Sequence, residues 1–272
     1  MWGGGSILFN TEKKYSLDLD GTRAVCLEKI TDVKVKGMEG NEKVIVGLER
    51  KIGLIGRKLS DRAHDGYDEE WPLNMEDRLR LLESLSGGEE PGGMDGLAVV
   101  ERRELVFLRE RPLGEEIRTT RVVKRESSKL VFATDYLLMR NLAPHEPDYS
   151  VVLTPEPSLL FRFSALSFNA HQIHLNPHYS REVEGYRNML VHGPLSVVMM
   201  LSVLRAQLAP GEMVVKFDYR NLAPLFVSEE MRICVRKDKS GQNKWDVWIT
   251  GKEGGYAAKG SAQIGMIDVV RE

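Results

Sequence analysis

Residues 191–204 read Val-His-Gly-Pro-Leu-Ser-Val-Val-Met-Met-Leu-Ser-Val-Leu, and residues 195–204 are the most apolar run of the chain. Helical patterning and a proline suited to a first turn predict one helix over about residues 194–208. Strand-like segments follow it at residues 213–220, 230–236, 244–250 and 255–266. One central helix followed by a run of antiparallel strands is typical of an α+β fold in which the sheet wraps around the helix.

The first half of the chain is also predicted to be mostly strand. Strand-like segments lie at residues 6–9, 24–36, 43–48, 97–108 and 118–138. A polar stretch at residues 58–96 interrupts them as an insertion or loop, with one short helix predicted at residues 75–85. Four prolines within residues 144–157 place the boundary between the halves there, which gives units 1–145 and 150–272.

The composition restricts the classes of function. The 272-residue chain carries a formal net charge of -2, and no basic run with interleaved aromatic residues occurs, so no nucleic-acid partner is expected. No apolar run is long enough to cross a bilayer, so no membrane association is expected. Cys26 and Cys234 fit no metal or redox spacing and are interpreted as free thiols in a reducing compartment. Residues 1–9 show no targeting peptide and read like the interior of a domain, so we expect the natural chain to begin upstream.

A predicted strand at residues 159–163 leads into a segment rich in histidine. His171, His174, His178 and His192 are four of the six histidines of the chain. If the segment is helical, the first three share one face, and imidazoles so spaced can bind zinc. Pro177 interrupts such a helix and no cysteine lies nearby, so metal binding is the weaker alternative. Hydrogen bonding within a loop is a second alternative, but four histidines around one helix start favour proton transfer.

The sequence His192-Gly193-Pro194 predicts the beginning of the apolar helix. Pro194 suits the first helical position, and the N–H groups of Gly193, Leu195 and Ser196 belong to the donors that lack an intrahelical partner. Because glycine has no Cβ, a substrate carbonyl could approach this backbone closely, and the helix dipole adds partial positive charge. Alone, the motif fits any helix start. Beside the histidines, it indicates a site that polarises a carbonyl group.

Three stretches carry a resemblance to a known family. They are residues 163–174 (Phe-Ser-Ala-Leu-Ser-Phe-Asn-Ala-His-Gln-Ile-His), 182–186 (Glu-Val-Glu-Gly-Tyr) and 190–195 (Leu-Val-His-Gly-Pro-Leu). Together they resemble the MaoC-like hydratases of the hotdog fold, and within that group the type 2 hydroxyacyl-thioester dehydratases and mesaconyl-CoA hydratase-like proteins. Residues 1–5 are similar to a Trp-containing glycine motif of the family's first half. The resemblance implies a double hotdog and reversible hydration of a 2-enoyl thioester carried on coenzyme A or acyl carrier protein.

The resemblance also implies roles for individual residues. The motif Gly-Asp-x-Asn-Pro-x-His of the family maps onto residues 168–174, so His174 matches the catalytic histidine and Asn169 replaces the aspartate. An amide cannot accept a proton at working pH, so we assign the proton transfers to His174. Asn169 would orient the hydroxyl or water, and His171 would hold His174 or share its duty. Gly193 matches the glycine whose N–H polarises the thioester carbonyl. Substrate contacts are assigned around that turn and just before it, to His192, Pro194, Leu195 and Tyr186.

Weaker predictions and alternatives remain. Arg57-Lys58 and Arg102-Arg103 could contact the phosphates of coenzyme A, although paired charges usually lie on a solvated face. Tyr186 and Arg187 line either the substrate entrance or a solvated loop. The same fold could serve specialised biosynthesis through thioester hydrolysis or double-bond isomerisation, and a non-catalytic module that binds an acyl carrier is the other alternative. We expect a monomer or homodimer, no metal or other cofactor, and a location that is mitochondrial, by resemblance, or cytoplasmic.

Overall fold

The computed structural model describes residues 2–18, 20–22, 24–40, 42–54, 94, 96–108, 146–239 and 242–268. Strands of the first half are β1 (Trp2–Phe9), β2 (Ala24–Lys36), β3 (Lys43–Leu54) and β4 (Leu97–Leu108). Strands of the second half are β5 (Tyr149–Leu153), β6 (Glu212–Asn221), β7 (Met231–Lys237), β8 (Lys244–Thr250) and β9 (Tyr256–Met266). Within the described ranges they form one 9-stranded sheet in the order β2-β3-β4-β1-β6-β9-β8-β7-β5. All of its pairings are antiparallel.

Few helices accompany the sheet in the described part of the chain. They are α1 (Pro157–Ser167), α2 (Gln172–Leu175) and α3 (Gly193–Arg205), together with a π-helical turn at Tyr179–Val183 and a 3-10 turn at Lys13–Tyr15. A single antiparallel sheet with few helices confirms the predicted α+β class. None of these helices has the length and apolar character that crossing a bilayer requires.

The strand predicted at residues 159–163 is wrong, because these residues lie in helix α1. Pro157 occupies the first helical turn, where its missing N–H removes no hydrogen bond. Along the helix, Leu160 and Ser164 are buried whereas Phe161 is exposed, which is helical rather than strand periodicity. Five residues are too few to distinguish the two periods when most of them are apolar. The first strand of the second half is instead β5.

Helix α3 packs on the sheet through its apolar face. Leu195, Met200 and Leu204 are buried in the same cluster as Phe217 of β6 and Ile249 of β8. Full burial of each such side chain is worth about 1.5–3 kcal/mol, so this contact contributes strongly to the stability of the second half. The prediction of one central helix held by the following strands is confirmed, with α3 beginning one residue earlier than predicted.

The two halves join where β1 pairs with β6. Ile7 lies opposite Phe217, and Gly5 lies opposite Tyr219, so the sheet continues from one half into the other. A second, smaller cluster of Leu97 and Val100 packs with side chains of β1 and β2 in the first half. The predicted short helix at residues 75–85, the strand at 118–138 and most of the insertion at 58–96 lie outside the described residues.

Candidate active site

The histidine-rich segment leaves helix α1 through a tight reversal. Phe168 adopts the left-handed conformation with φ 51° and ψ 32°, and its N–H donates to the Ala165 and Ser164 carbonyls. The N–H of Asn169 donates to the Ser164 carbonyl at 3.0 Å. Glycine is the usual residue at this position of a helix C-terminus because it has no Cβ, and the family motif has glycine there. Phe168 therefore accepts backbone strain while its side chain is 95% exposed.

His174 in helix α2 has the geometry of a general base. Its imidazole is buried, and Nδ1 lies 2.8 Å from the backbone oxygen of Leu190. A carbonyl oxygen can only accept, so Nδ1 carries the proton and donates it. In the neutral ring, Nε2 is then left with the free lone pair. The hydrogen bond thus fixes the tautomer that can remove a proton from a substrate.

The surroundings of His174 also keep it neutral. Burial lowers the pKa of His174 from its usual value, the hydrogen bond to Leu190 opposes that shift, and nearby His171 adds to it. The rings of His171 and His174 lie 6.1 Å apart at an angle of 60°. No hydrogen bond joins these two rings among the described residues. His174 is therefore held by the Leu190 carbonyl and not by His171.

His192 lies directly against His174. Their rings stack with centroids 3.6 Å apart and planes 20° from parallel. Nε2 of His192 lies 2.9 Å from Oγ of Ser164 in α1, and the ring of Phe163 meets it edge-on at 5.0 Å. Burial, with a contribution from His174, lowers the pKa of His192 to about 3, so this ring is neutral at neutral pH. His192 is 0% exposed and so offers no surface to a ligand in this structure.

Helix α3 begins at Gly193, beside these stacked rings. Pro194 occupies the second helical position rather than the first. The prediction that Ser196 lacks a partner is wrong, because its N–H donates to the carbonyl of the capping residue His192 at 3.1 Å. The N–H groups of Gly193 and Leu195 donate to no atom of the described residues. Two free amides therefore lie at the positive end of the helix dipole, directly after His192, whose ring stacks on that of His174.

The glycine at 193 has a packing reason of its own. A Cβ there would lie 2.9 Å from Cβ of Trp2 and 2.9 Å from Nδ2 of Asn221. Nδ2 of Asn221 in turn donates to the Trp2 carbonyl at 3.1 Å. The absence of a side chain thus lets β1 of the first half pack against the beginning of α3. The space at Cα is filled by protein, so a substrate carbonyl must approach from the side of the amide.

Sequence reasoning missed most of the residues that surround this turn. Nε1 of Trp2 donates to the hydroxyl of Tyr219 at 2.8 Å, and the guanidinium of Arg103 lies 4.3 Å from the Trp2 ring. Burial raises the pKa of Tyr219 to about 12. The Trp-containing glycine motif was the one sequence signal available for Trp2, and it did not indicate which residues Trp2 contacts. Ser164 was likewise missed, since a serine in an apolar segment carries no pattern of its own.

Asn169, His171 and His178 do not share a helical face. Oδ1 of Asn169 accepts from the N–H of His171 at 3.2 Å, and Nδ1 of His171 accepts from the N–H of Ile173 at 3.3 Å. The backbone is extended at Asn176, with φ -122° and ψ 106°, ahead of Pro177, and His178 lies exposed beyond it. The three histidines of the segment therefore do not share one helical face, because the proline interrupts the turn as the sequence indicates. In the described ranges no group of three His, Cys, Asp or Glu could hold a metal ion.

The predicted substrate contacts are distributed unevenly. Leu195 is buried in the core cluster, whereas Pro194 and Tyr186 are half-buried. The ring of Tyr186 lies 6.4 Å from that of Phe226. Arg187 packs over the same Phe226 ring and pairs with Glu229 through two hydrogen bonds, so it is held by the protein.

The arginines considered for phosphate binding are also occupied. Arg102 pairs with Glu49 at 2.8 Å on the surface. Arg103 pairs with Glu101 and is largely buried against Trp2, so it does not belong to a solvated face. Arg57 and Lys58 lie outside the described residues.

A groove of about 680 Å³ runs across the middle of the sheet, but the histidines do not line it. Charged side chains such as Asp218 and Arg220 line it, and they alternate along β6 with the buried Phe217 and Tyr219. Alternate residues of a strand point to opposite faces, so these charges lie on the face away from α3. Tyr219 and Arg103, which both contact Trp2, also line the groove, whereas His174, His192 and Gly193 do not.

Comparison with known proteins places this geometry in context. Residues 1–227 match the hydroxyacyl-thioester dehydratase type 2 family. Over 90 residues the chain is 42% identical to the mitochondrial hydroxyacyl-thioester dehydratase type 2 of Schizosaccharomyces pombe. This match covers 33% of this chain and 30% of that protein. Over 124 residues it is 35% identical to the mesaconyl-C(4)-CoA hydratase of Chloroflexus aurantiacus, covering 46% and 42% of the two chains. The matches thus span less than half the length of these curated relatives.

Solved structures resemble the fold at low sequence identity. A MaoC-like dehydratase from Phytophthora capsici superposes with a TM-score of 0.60 at 15% identity, covering 99% of this chain and 72% of that chain. Another MaoC-like dehydratase superposes with a TM-score of 0.52 at 12% identity, covering 97% and 75%. At such identities the likeness is one of fold.

Proposed function

The chain belongs to the hydroxyacyl-thioester dehydratase type 2 family, and from that premise we propose that it is a hydro-lyase. It reversibly dehydrates a 3-hydroxyacyl thioester to the 2-enoyl thioester. The observation that supports this best is the hydrogen bond from Nδ1 of His174 to Leu190, which leaves Nε2 as a base on a ring that stacks on His192, the residue directly before the free amide of Gly193. A base next to a carbonyl-polarising amide is what removal of an α-proton requires.

The reaction needs one residue to move the proton and another to hold the negative charge. Nε2 of His174 takes the proton from the α-carbon, and the C–H electron pair forms the enolate. The Gly193 N–H donates to the enolate oxygen, a contribution worth about 10²–10³ in rate. As the electron pair returns to form the double bond, the C3–O bond breaks and protonated His174 gives its proton to the departing hydroxyl. Such acid–base help is worth about 10²–10⁴ in rate.

Asn169 and His171 support this chemistry as hydrogen-bond donors. Oδ1 of Asn169 is engaged with the His171 amide, which leaves Nδ2 to orient the substrate hydroxyl or the attacking water. Nδ1 of His171 is engaged with the Ile173 amide, so in the neutral ring Nε2 carries the proton. His171 is exposed and offers that donor to the substrate side. Substrate contacts further out are assigned to the half-buried Tyr186 and Pro194.

The wider organisation follows the family. We assign residues 1–145 and 150–272 to two hotdog halves, an arrangement supported by the strands of the described residues, of which four precede the junction and five follow it. Two fused halves can then reproduce a hotdog dimer within one chain, as a monomer or a homodimer. The substrate is carried on coenzyme A or acyl carrier protein. A mitochondrial location is supported by the mitochondrial relative from Schizosaccharomyces pombe.

Incubation with crotonyl-CoA tests this function. We expect loss of the enoyl thioester absorbance without release of free thiol, and the reverse change with 3-hydroxybutyryl-CoA. Release of thiol would instead identify a thioesterase, and movement of the double bond would identify an isomerase. Inactivity of the folded protein on a panel of CoA and carrier-bound enoyl thioesters would point to a non-catalytic binding module.

A further inference from the structure

We propose that His192 is a positioning residue for the general base: its buried ring, set by Ser164, fixes the plane of the His174 ring and so the direction of Nε2. This inference rests on the proposed function, in which His174 is the base. It replaces the substrate contact expected for His192 from the sequence. His192 is enclosed and its Nε2 is directed at Ser164, so its action on the reaction must pass through another residue.

The geometry explains why His174 needs a second support. Its single hydrogen bond, from Nδ1 to Leu190, fixes one atom but leaves the ring free to rotate about the line to that oxygen. A parallel ring 3.6 Å away removes this freedom, because rotation out of the plane would drive His174 into its neighbour. Such a rotation would turn the lone pair of Nε2, which does not lie along that line, away from the proton that it removes.

His192 is itself held from two directions. Ser164 in helix α1 lies 2.9 Å from Nε2, and Phe163 meets the ring edge-on at 5.0 Å. A rigid helix therefore sets the plane of one imidazole, which sets the plane of the next. Nδ1 of His192 is buried without a partner among the described residues, at a cost of about 1–3 kcal/mol.

The neutral state of His192 suits the same role. During turnover His174 becomes an imidazolium, and a second cation stacked on it would oppose the proton transfer. The titratable groups that contact His174 among the described residues are His171, from the preceding loop, and His192. Of these, His192 is the one that burial holds uncharged through the working range of pH.

A pair of double variants tests the proposal. Ser164→Ala with His192→Ala removes the ring, whereas Ser164→Ala with His192→Phe removes both polar partners and keeps an aromatic ring against His174. For the first we expect kcat to fall by about 10–10²-fold with KM nearly unchanged, since a misplacement of about 1 Å has that effect. For the second we expect recovery of most of that loss. Circular dichroism and Tm establish that each variant is folded.

An NMR titration of the His174 ring gives a readout that needs no substrate. In the variant with alanine at 192, water enters the vacated space and the pKa of His174 should rise toward its ordinary value near 6.5. In the variant with phenylalanine, it should remain at its parent value. Parent kcat in the folded alanine variant, or equal losses in the two variants, would overturn the proposal. If the parent turns over no enoyl thioester, the function fails, and the titration alone still decides the positioning.

Discussion

Replacing Gly193 by alanine tests the packing at the centre of the site. The new Cβ would lie 2.9 Å from Cβ of Trp2, so about 0.6 Å must be absorbed to reach ordinary carbon contact near 3.5 Å. Cβ of Trp2 is next to the backbone of β1 and cannot swing away. Asn221, the other neighbour at 2.9 Å, is tied to the Trp2 carbonyl. We therefore expect α3 to shift relative to β1, at a cost of about 1–3 kcal/mol.

That shift has two measurable consequences. For domains of about 150–250 residues each kcal/mol lowers Tm by about 2–4 °C, so a fall of several degrees is expected. The free amide of residue 193 moves with the helix, so its hydrogen bond to the enolate oxygen weakens. We expect kcat for enoyl thioester hydration to fall by about 10–10²-fold.

Gly251→Ala is the matched control. A Cβ there would meet Cδ2 of Leu225 at 3.6 Å, which is ordinary contact, so Tm and kcat should stay at parent values. Thermal unfolding and the absorbance assay, run on both variants, give the comparison. If Gly193→Ala matches the control in both measurements, the proposed packing of Trp2 on the beginning of α3 is refuted.

Three further predictions concern strain and protonation. Phe168→Gly should stabilise the chain by about 0.5–1 kcal/mol, measured by chemical denaturation. The substitution relieves left-handed strain of about 1–2 kcal/mol, and this gain exceeds the cost of the entropy that glycine adds to the unfolded chain. An unchanged denaturation midpoint would contradict this. The acid limb of kcat/KM should lie below pH 6.5, because burial lowers the pKa of His174 and the base stays unprotonated further into acid; a limb at or above 6.5 would exclude His174 as that base. The pKa of His192 falls to about 3 on folding, so between pH 3 and 6.5 the unfolded chain binds a proton on His192 that the folded chain does not. The stability that is present above pH 6.5 is therefore lost as the pH falls from 6.5 toward 3. The double variant with Ser164→Ala and His192→Phe should lose less stability over that interval in acid unfolding followed by circular dichroism, and an equal loss would count against a buried neutral His192.

Local patterns were sufficient where one segment carried the signal. The apolar run after Pro194 predicted α3, and the alternating segments that follow predicted β6 to β9. The association of the histidines with the turn at Gly193 was also expected, and the stacked rings of His174 and His192 place them together. Both inferences use residues close in sequence.

Contacts between distant segments could not be predicted in the same way. Trp2 reaches the beginning of α3 only because β1 pairs with β6, and a single sequence does not reveal that pairing. The Leu190 carbonyl that orients His174 is a backbone atom, which leaves no trace in residue type. The sequence predicts a strand where α1 lies, because five mostly apolar residues fit either period.

Solvent deuterium incorporation tests the central claim most directly. The parent protein and His174→Ala are each incubated with a 2-enoyl thioester in D2O, and the 3-hydroxyacyl product is analysed by mass spectrometry. From the parent we expect one deuterium at the α-carbon, and from His174→Ala the same product formed about 10²–10⁴-fold more slowly. Deuterated product formed by His174→Ala at the parent rate would contradict the assignment of His174 as the base.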